Sequence, residues 1–125
     1  MTLSRRSRLT AQAQFRSVFQ QPVVSTDAWF KVLARRNELP HSRLGLAVSR
    51  QVDRRAVERN RIKRIVRDSF RRHYVNGHDP YPADFVVLPR RAAISISNQQ
   101  LRERLSCHWA RIDERMGASI SGSGP

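Results

Sequence analysis

Residues 50–72 hold ten cations, Arg50, Arg54, Arg55, Arg59, Arg61, Lys63, Arg64, Arg67, Arg71 and Arg72, against three acids, Asp53, Glu58 and Asp68. The window carries +7, half of the +14 of the whole 125-residue chain. Nine of the ten are arginines, whose planar fork of donors matches phosphate oxygens. Such a surface neutralises phosphates and releases their counterions, so its affinity falls steeply with salt. Phosphate contacts read no base sequence, and a partner recognised by shape fits better than a specific DNA site. On a helical wheel Asn60, Arg64, Arg67 and Arg71 fall together at i, i+4, i+7 and i+11. Ile62, Ile65, Val66, Phe70 and His73 occupy the other side, which makes an amphipathic helix with an outward guanidinium ridge. Along the ridge Arg64 and Asp68 are the one well-spaced i,i+4 pair. Val57 falls on the polar side, so either the helix begins nearer Arg59 or its first turn packs against something else.

Other chemistry finds little support. His41, His73, His78 and His108 are scattered, Asp79 and Asp84 flank a proline-containing loop, and no H-E-x-x-H or carboxylate cluster occurs. His73 and His108 read as residues at the margin of the core. The single Cys107 excludes an internal disulfide and any C-x-x-C motif. No catalytic side chain and no metal ligand are expected. A surplus of 24 Lys and Arg over 10 acids repels itself and calls for a polyanion. Apart from that sign, 39% apolar and 27% charged residues are ordinary globular values. No run of about 18 apolar residues exists to span a membrane. The opening MTLSRRSRLTAQ has charge without an apolar stretch behind it, unlike a secretory signal, and a cytoplasmic location is expected.

The elements that must position the ridge follow from periodicity. Residues 1–8 read as a loose basic arm. Thr10 is the expected N-cap of a helix over 11–20, with Phe15, Val18 and Phe19 on one side, stopped by Pro22. A weak strand at 23–25 is followed by a stronger one at 29–35, in which Phe30, Val32 and Ala34 alternate with Trp29, Lys31, Leu33 and Arg35. A third strand at 43–49 sends Leu44, Leu46 and Val48 inward and leaves Gly45, Ala47 and Ser49 opposite. The basic helix is expected over 53–76, capped by Asp53 and closed by Gly77. The segment DFVVL at 84–88 reads as a buried strand. A last helix starts in the capping box Ser97-Asn98-Gln99-Gln100, and Leu101, Leu105, His108, Trp109, Ile112 and Met116 form one stripe. These elements predict a single domain over 1–116 with a disordered Gly/Ser tail at 117–125. The fold class is α+β: a two-layer α/β sandwich, a small mixed sheet of about four strands with three helices, in the order α-β-β-β-α-β-α.

Gly45–Ser49 (GLAVS) followed by Glu58–Arg71 (ERNRIKRIVRDSFR) resembles the signature of the bacterial ribonuclease P protein family. Arg59, Asn60 and Arg61, with Ile62, Lys63, Arg64, Arg67 and Phe70 in register, carry the match, which extends from LTAQAQFRSVF at Leu9–Phe19 into the final helix. The resemblance implies a protein that binds a large catalytic RNA and the 5′ leader of precursor tRNA, and assists removal of that leader. It implies that the RNA performs the hydrolysis with Mg²⁺, which activates water and stabilises the leaving oxygen. By position it puts Arg50, Arg54, Arg55, Arg59, Asn60, Arg61, Lys63, Arg64, Arg67 and Arg71 on the RNA subunit. It puts Phe15, Phe19, Trp29, Phe30, Gly45, Ala47 and Ser49 along a leader cleft between the first helix and the open sheet face, where aromatic rings stack on unpaired bases. It also implies a left-handed crossover through the basic helix, against the usual rule, and neither a membrane nor an obligate protein partner. Two positions depart from many relatives: Gln51 stands in place of the second of two lysines, and Leu33 in place of a tyrosine. A general RNA- or DNA-binding module would share the charge without the Arg-Asn-Arg spacing, and a self-sufficient metal nuclease would need acids the chain does not cluster.

Overall fold

The computed structural model describes residues 3–122, for 119–122 the backbone only. Four strands, β1 (Val23–Thr26), β2 (Phe30–Arg36), β3 (Arg43–Leu46) and β4 (Ala83–Pro89), form one sheet in the order β1-β2-β4-β3. The pairs β1/β2 and β2/β4 are antiparallel and β3/β4 is parallel, so the sheet is mixed. The β1–β2 turn is held by Asp27, whose Oδ1 accepts from the backbone N–H of Trp29 and Phe30 at 2.8 Å each, an Asx-type turn. Between β2 and β3 the chain turns through Glu38 at φ 61°, with Asn37 Oδ1 accepting from Leu39 N at 2.9 Å. The alternation read from the sequence places Phe30, Val32 and Ala34 of β2 and Phe85 and Val87 of β4 on one face. Leu33 and Val86 lie on the other.

Three helices, α1 (Gln12–Val18), α2 (Ala56–Phe70) and α3 (Asn98–Gly122), complete the expected α+β order. The first face packs against α2 through Ile62, Ile65, Val66 and Phe70, and against α3 through Leu101, Leu105, Trp109, Ile112 and Met116. Phe70, Tyr74, Phe85 and Trp109 meet there with centroids 4.7–5.9 Å apart. The Trp109 Nε1–H donates to Ser69 Oγ at 2.8 Å. These two helices and the sheet make the two-layer sandwich. By contrast α1 lies on the opposite face, where Val18 and half-buried Phe15 cover Leu33 and Val86.

Several boundaries differ from the sequence reading for local reasons. Residues 3–8 are not a loose arm: Leu3 is 2% exposed in the main core, and Arg5–Ser7 form a 3-10 turn. Beyond it Leu9 N–H donates to Leu44 O at 2.9 Å. Ala11 rather than Thr10 is the N-cap of α1; Gln14 Oε1 closes that end by accepting from Thr10 N (2.8 Å) and Ala11 N (3.0 Å). The basic helix starts at Ala56 with Arg55 at its N-cap, and Asp53, two residues before that cap, accepts from Arg55 N at 2.7 Å in a local turn ahead of the helix. Hydrogen bonds from the Arg55 side chain and backbone hold the Asp53 carboxyl at about 2. At the far end the helix widens into π turns over Arg71–Val75, with Asn76 N–H donating to Arg71 O at 2.8 Å. Gly77 has no positive φ; a Cβ there would run into the carbonyl oxygen of His73 and lie 2.7 Å from that of Arg72. Past Met116, α3 continues to Gly122, so 117–122 are helical rather than tail. Residues 123–125 lie outside the described ones.

Candidate nucleic-acid interface

The outward face of α2 is sorted by where its acids turn. Asp68, expected beside Arg64, instead pairs with Arg71 at 2.6 Å and Arg72 at 3.2 Å. A carboxylate in a helix reaches either neighbouring turn, and Arg71 at i+3 and Arg72 at i+4 stand in the following one. Glu58 pairs with Arg61 at 3.1 Å, and Asp53 with Arg55 at 2.8 Å. Arg61 is further committed to the fold: it donates to Asn98 Oδ1 at 2.7 Å and to Ile94 O at 3.1 Å. Arg59 Nη1 donates to the carbonyls of Asp53 and Arg54 at 2.9 and 2.8 Å, bracing the loop before the helix. Among the described residues, Arg50, Arg54, Lys63, Arg64 and Arg67 form no ion pair. Arg50, Arg54, Asn60 and Arg64 are exposed, and Lys63 and Arg67 are half-buried.

Arg91 was missed. Arg50, Arg54, Arg59 and Arg91 line an open cleft of about 650 Å³ without an acid, and Arg91 Nε donates to Gln51 O at 2.7 Å. Because β3 and β4 are parallel neighbours, the segments leaving their C-terminal ends emerge side by side. Only that pairing relates Arg91 to Arg50; the Pro89-Arg90-Arg91 run after a buried strand was the available signal.

The residues expected along the leader cleft divide between the two faces. Phe15 lies on the α1 side, Phe19 at the end of α1 is 52% exposed, and Ala47 and Ser49 are exposed beyond β3. Gly45 does not leave room for an RNA strand: a Cβ there would lie 2.5 Å from Phe15 Cε1 and 2.9 Å from Leu9 Cδ1, so the Phe15 ring already fills that space. Phe30 is not in the cleft, being fully buried on the α2/α3 face, edge-on to His108 at 6.1 Å. Trp29 packs against that same core, with the Arg104 guanidinium 5.1 Å over its ring. Leu33, where many relatives carry tyrosine, is buried beneath α1.

Two hollows flank α1. One of about 430 Å³ runs past Gln14, Ser17, Arg35, Arg36 and Asn37. The Arg43–Asp84 pair lines it, with Nε–Oδ1 at 2.8 Å and Nη2–Oδ2 at 2.6 Å. Hydrogen bonding to Asp84 raises the Arg43 pKa further. Arg35 closes the helix end by donating to the carbonyls of Ser17 and Gln20 at 3.1 Å each. The other, about 230 Å³, is lined by Arg8, Leu9, Phe15, Leu46 and Arg67. Arg67 thus connects the α2 ridge with the α1 face.

Among the described residues no three His, Cys, Asp or Glu side chains gather to hold a metal ion. Ser25 Oγ, His108 and Asp27 do stand in series, 2.7 Å to Nδ1 and 2.8 Å to Nε2, the set that elsewhere activates a nucleophile. Ser25 and His108 are sealed between β1 and α3, where no substrate reaches the hydroxyl. His73 is spent on Asp113 at 2.8 Å, and His41 on the carbonyl of Arg6 at 3.0 Å. No helix among the described residues is long and apolar enough to cross a membrane.

A small α+β domain with an acid-poor cationic ridge defines a class: a protein that binds nucleic acid through its phosphates. The family model described as Ribonuclease P matches residues 3–113. The "Ribonuclease P protein component" of Methylococcus capsulatus is 44% identical over 117 residues, 94% of this chain and 89% of that protein. The one from Photorhabdus laumondii is 41% identical over 111 residues, 89% of this chain and 91% of that protein. The RNase P protein structure from Staphylococcus aureus superposes with a TM-score of 0.74 at 28% identity, covering 83% of this chain and 93% of that one. For that from Thermotoga maritima the TM-score is 0.68 at 34% identity, with 78% and 90% covered. The chain belongs to the ribonuclease P protein family, and its role is that of a subunit of ribonuclease P in tRNA processing.

Proposed function

We propose that this subunit binds the catalytic RNA of ribonuclease P through the outer face of α2 and its adjoining loop. Arg50, Arg54, Lys63, Arg64 and Arg67 supply the phosphate contacts, with Asn60 among them and Arg91 added from the end of β4. The observation that carries this reading is the turning of Asp68 towards Arg71 and Arg72, which leaves Arg64 and Arg67 without an acid. Arg55, Arg59, Arg61 and Arg71 hold the helix and its loop in shape behind that surface. The face carrying α1, with Phe15, Phe19, Ala47 and Ser49 along it, holds the single-stranded 5′ leader of precursor tRNA, where stacking tolerates any base.

In this reading the hydrolysis belongs to the RNA subunit and its Mg²⁺, which supplies activation of water and stabilisation of the leaving oxygen. Asp53, Glu58, Asp68 and Asp84 are each paired with arginine, and among the described residues no three His, Cys, Asp or Glu side chains gather, which in this reading leaves the metal to the RNA. The protein binds and orients RNA in the cytoplasm, without an obligate protein partner. The test is 5′ cleavage of a precursor tRNA by a bacterial ribonuclease P RNA at low Mg²⁺, with and without this protein. Stimulation that disappears when the leader is shortened is expected. Salt-sensitive RNA binding without stimulation would refute the assignment of the leader, and cleavage by the protein alone would refute the division of labour.

A further inference from the structure

The large apolar side chains exposed among the described residues are Phe19, Val57 and Val75. Phe19 belongs to the α1 face. Val57 is the most exposed, at 71%, and stands in the first turn of α2. Asn60, Arg61 and Arg64 follow it at i+3, i+4 and i+7, on the same side of the helix. Since α2 begins before Val57 and nothing in the fold covers it, neither explanation open from the sequence removes it from the ridge. A lone surface valine is ordinary, but this position favours one least. The β-branched side chain is a weak helix former, and its surroundings are cationic. Arg54 and Arg64 form no ion pair, and Glu58 is drawn aside to Arg61.

A nucleic-acid strand gripped by its phosphates turns the less polar faces of its ribose and base to whatever lies between the cations. We infer that Val57 is a contact residue for the catalytic RNA, packing on one nucleoside between phosphates held by Arg54 and Arg64. This rests on the reading that α2 binds the RNA subunit, and it adds a contact of a different physical kind. Cations set how affinity depends on salt, through counterion release; an apolar contact adds affinity that salt does not screen.

The two kinds separate in one experiment. Dissociation constants of the full chain for a bacterial ribonuclease P RNA are measured from about 50 to about 200 mM salt. The proteins compared are the wild type, Val57→Ala, Val57→Leu and Arg64→Gln. Val57→Ala removes the apolar contact while improving helix propensity, so weakened binding cannot come from a lost helix. It is expected to weaken binding about fivefold at every salt concentration, with the slope of log K against log salt unchanged. Val57→Leu is expected to retain affinity. Arg64→Gln is expected to flatten the slope by about one. Wild-type affinity in Val57→Ala overturns the inference, and leaves α2 as the RNA-binding face if Arg64→Gln flattens the slope. An unchanged slope in Arg64→Gln overturns both.

Discussion

Replacing Gly45 with alanine tests whether the α1 face is held by the packing of Phe15 on the sheet. The new Cβ would lie 2.5 Å from Phe15 Cε1, and 2.9 Å from both Phe15 Cζ and Leu9 Cδ1. Carbon atoms at rest stand about 3.5–4.0 Å apart, so the ring must retreat by roughly 1 Å, and α1 with it. Overpacking of this kind costs about 1–3 kcal/mol; because Phe15 is only half-buried and α1 is a short helix open to solvent on its outer side, about 1–2 kcal/mol is expected. For a chain of this length that lowers Tm by about 3–10 °C. The functional consequence is selective. Displaced α1 weakens binding of precursor tRNA with a full leader, while affinity for the RNA subunit, made by α2, is retained. Urea or thermal unfolding gives the first quantity, and equilibrium binding with long and short leaders the second. A double-mutant cycle identifies the cause, since contacting residues couple. With Phe15→Ala in place, the cost of Gly45→Ala falls to the residual contact with Leu9. An equal cost in both backgrounds would refute the collision, and equal losses for long- and short-leader substrates would refute the role of α1.

Leu3→Ala is expected to destabilise the protein by about 2 kcal/mol, the low end for a buried leucine because a chain end can settle into the gap; a loss below about 0.5 kcal/mol in urea unfolding would mean that residues 3–8 do not contribute to the core. Burial is the main cause that lowers the pKa of His108, against the opposing pull of Asp27, with Arg111 and Arg104 adding to the lowering. The unfolded chain, with imidazole near 6.5, therefore takes up the proton first: His108's contribution is complete above about pH 6.5 and is lost as the pH falls towards the lower folded-state value. Urea midpoints between about pH 7.5 and 5.5 should decline less steeply in His108→Gln, and an identical decline in both proteins would contradict this.

Much of the architecture was legible in the residues. The stripe Leu101, Leu105, His108, Trp109, Ile112 and Met116 is buried throughout, and so are Ile62, Ile65, Val66 and Phe70 of α2. Periodicity is a local property: when the apolar residues of a segment share one face, burial of that face follows whatever it packs against. The +7 of residues 50–72 is likewise independent of the fold, and that charge alone points to a polyanion.

Tertiary structure decided which members of each set act. Alternation in β2 separates Phe30 from Leu33, but which face lies under α2 and α3 depends on all the elements at once, and Phe30 went to the closed side. Small residues at 45, 47 and 49 suggest space, yet the ring of Phe15, thirty residues earlier, fills the space over Gly45. Asp68 had several arginines within a turn, and side-chain geometry rather than spacing directed it away from Arg64. Arg91 joined Arg50 and Arg54 only because β3 and β4 pair in parallel. The sequence by itself determined the apolar faces and the sign of the surface, because these are sums over neighbouring residues. Which arginines remain unpaired and which rings face the RNA was decided only by the tertiary structure, because ion pairing and exposure depend on contacts between distant segments.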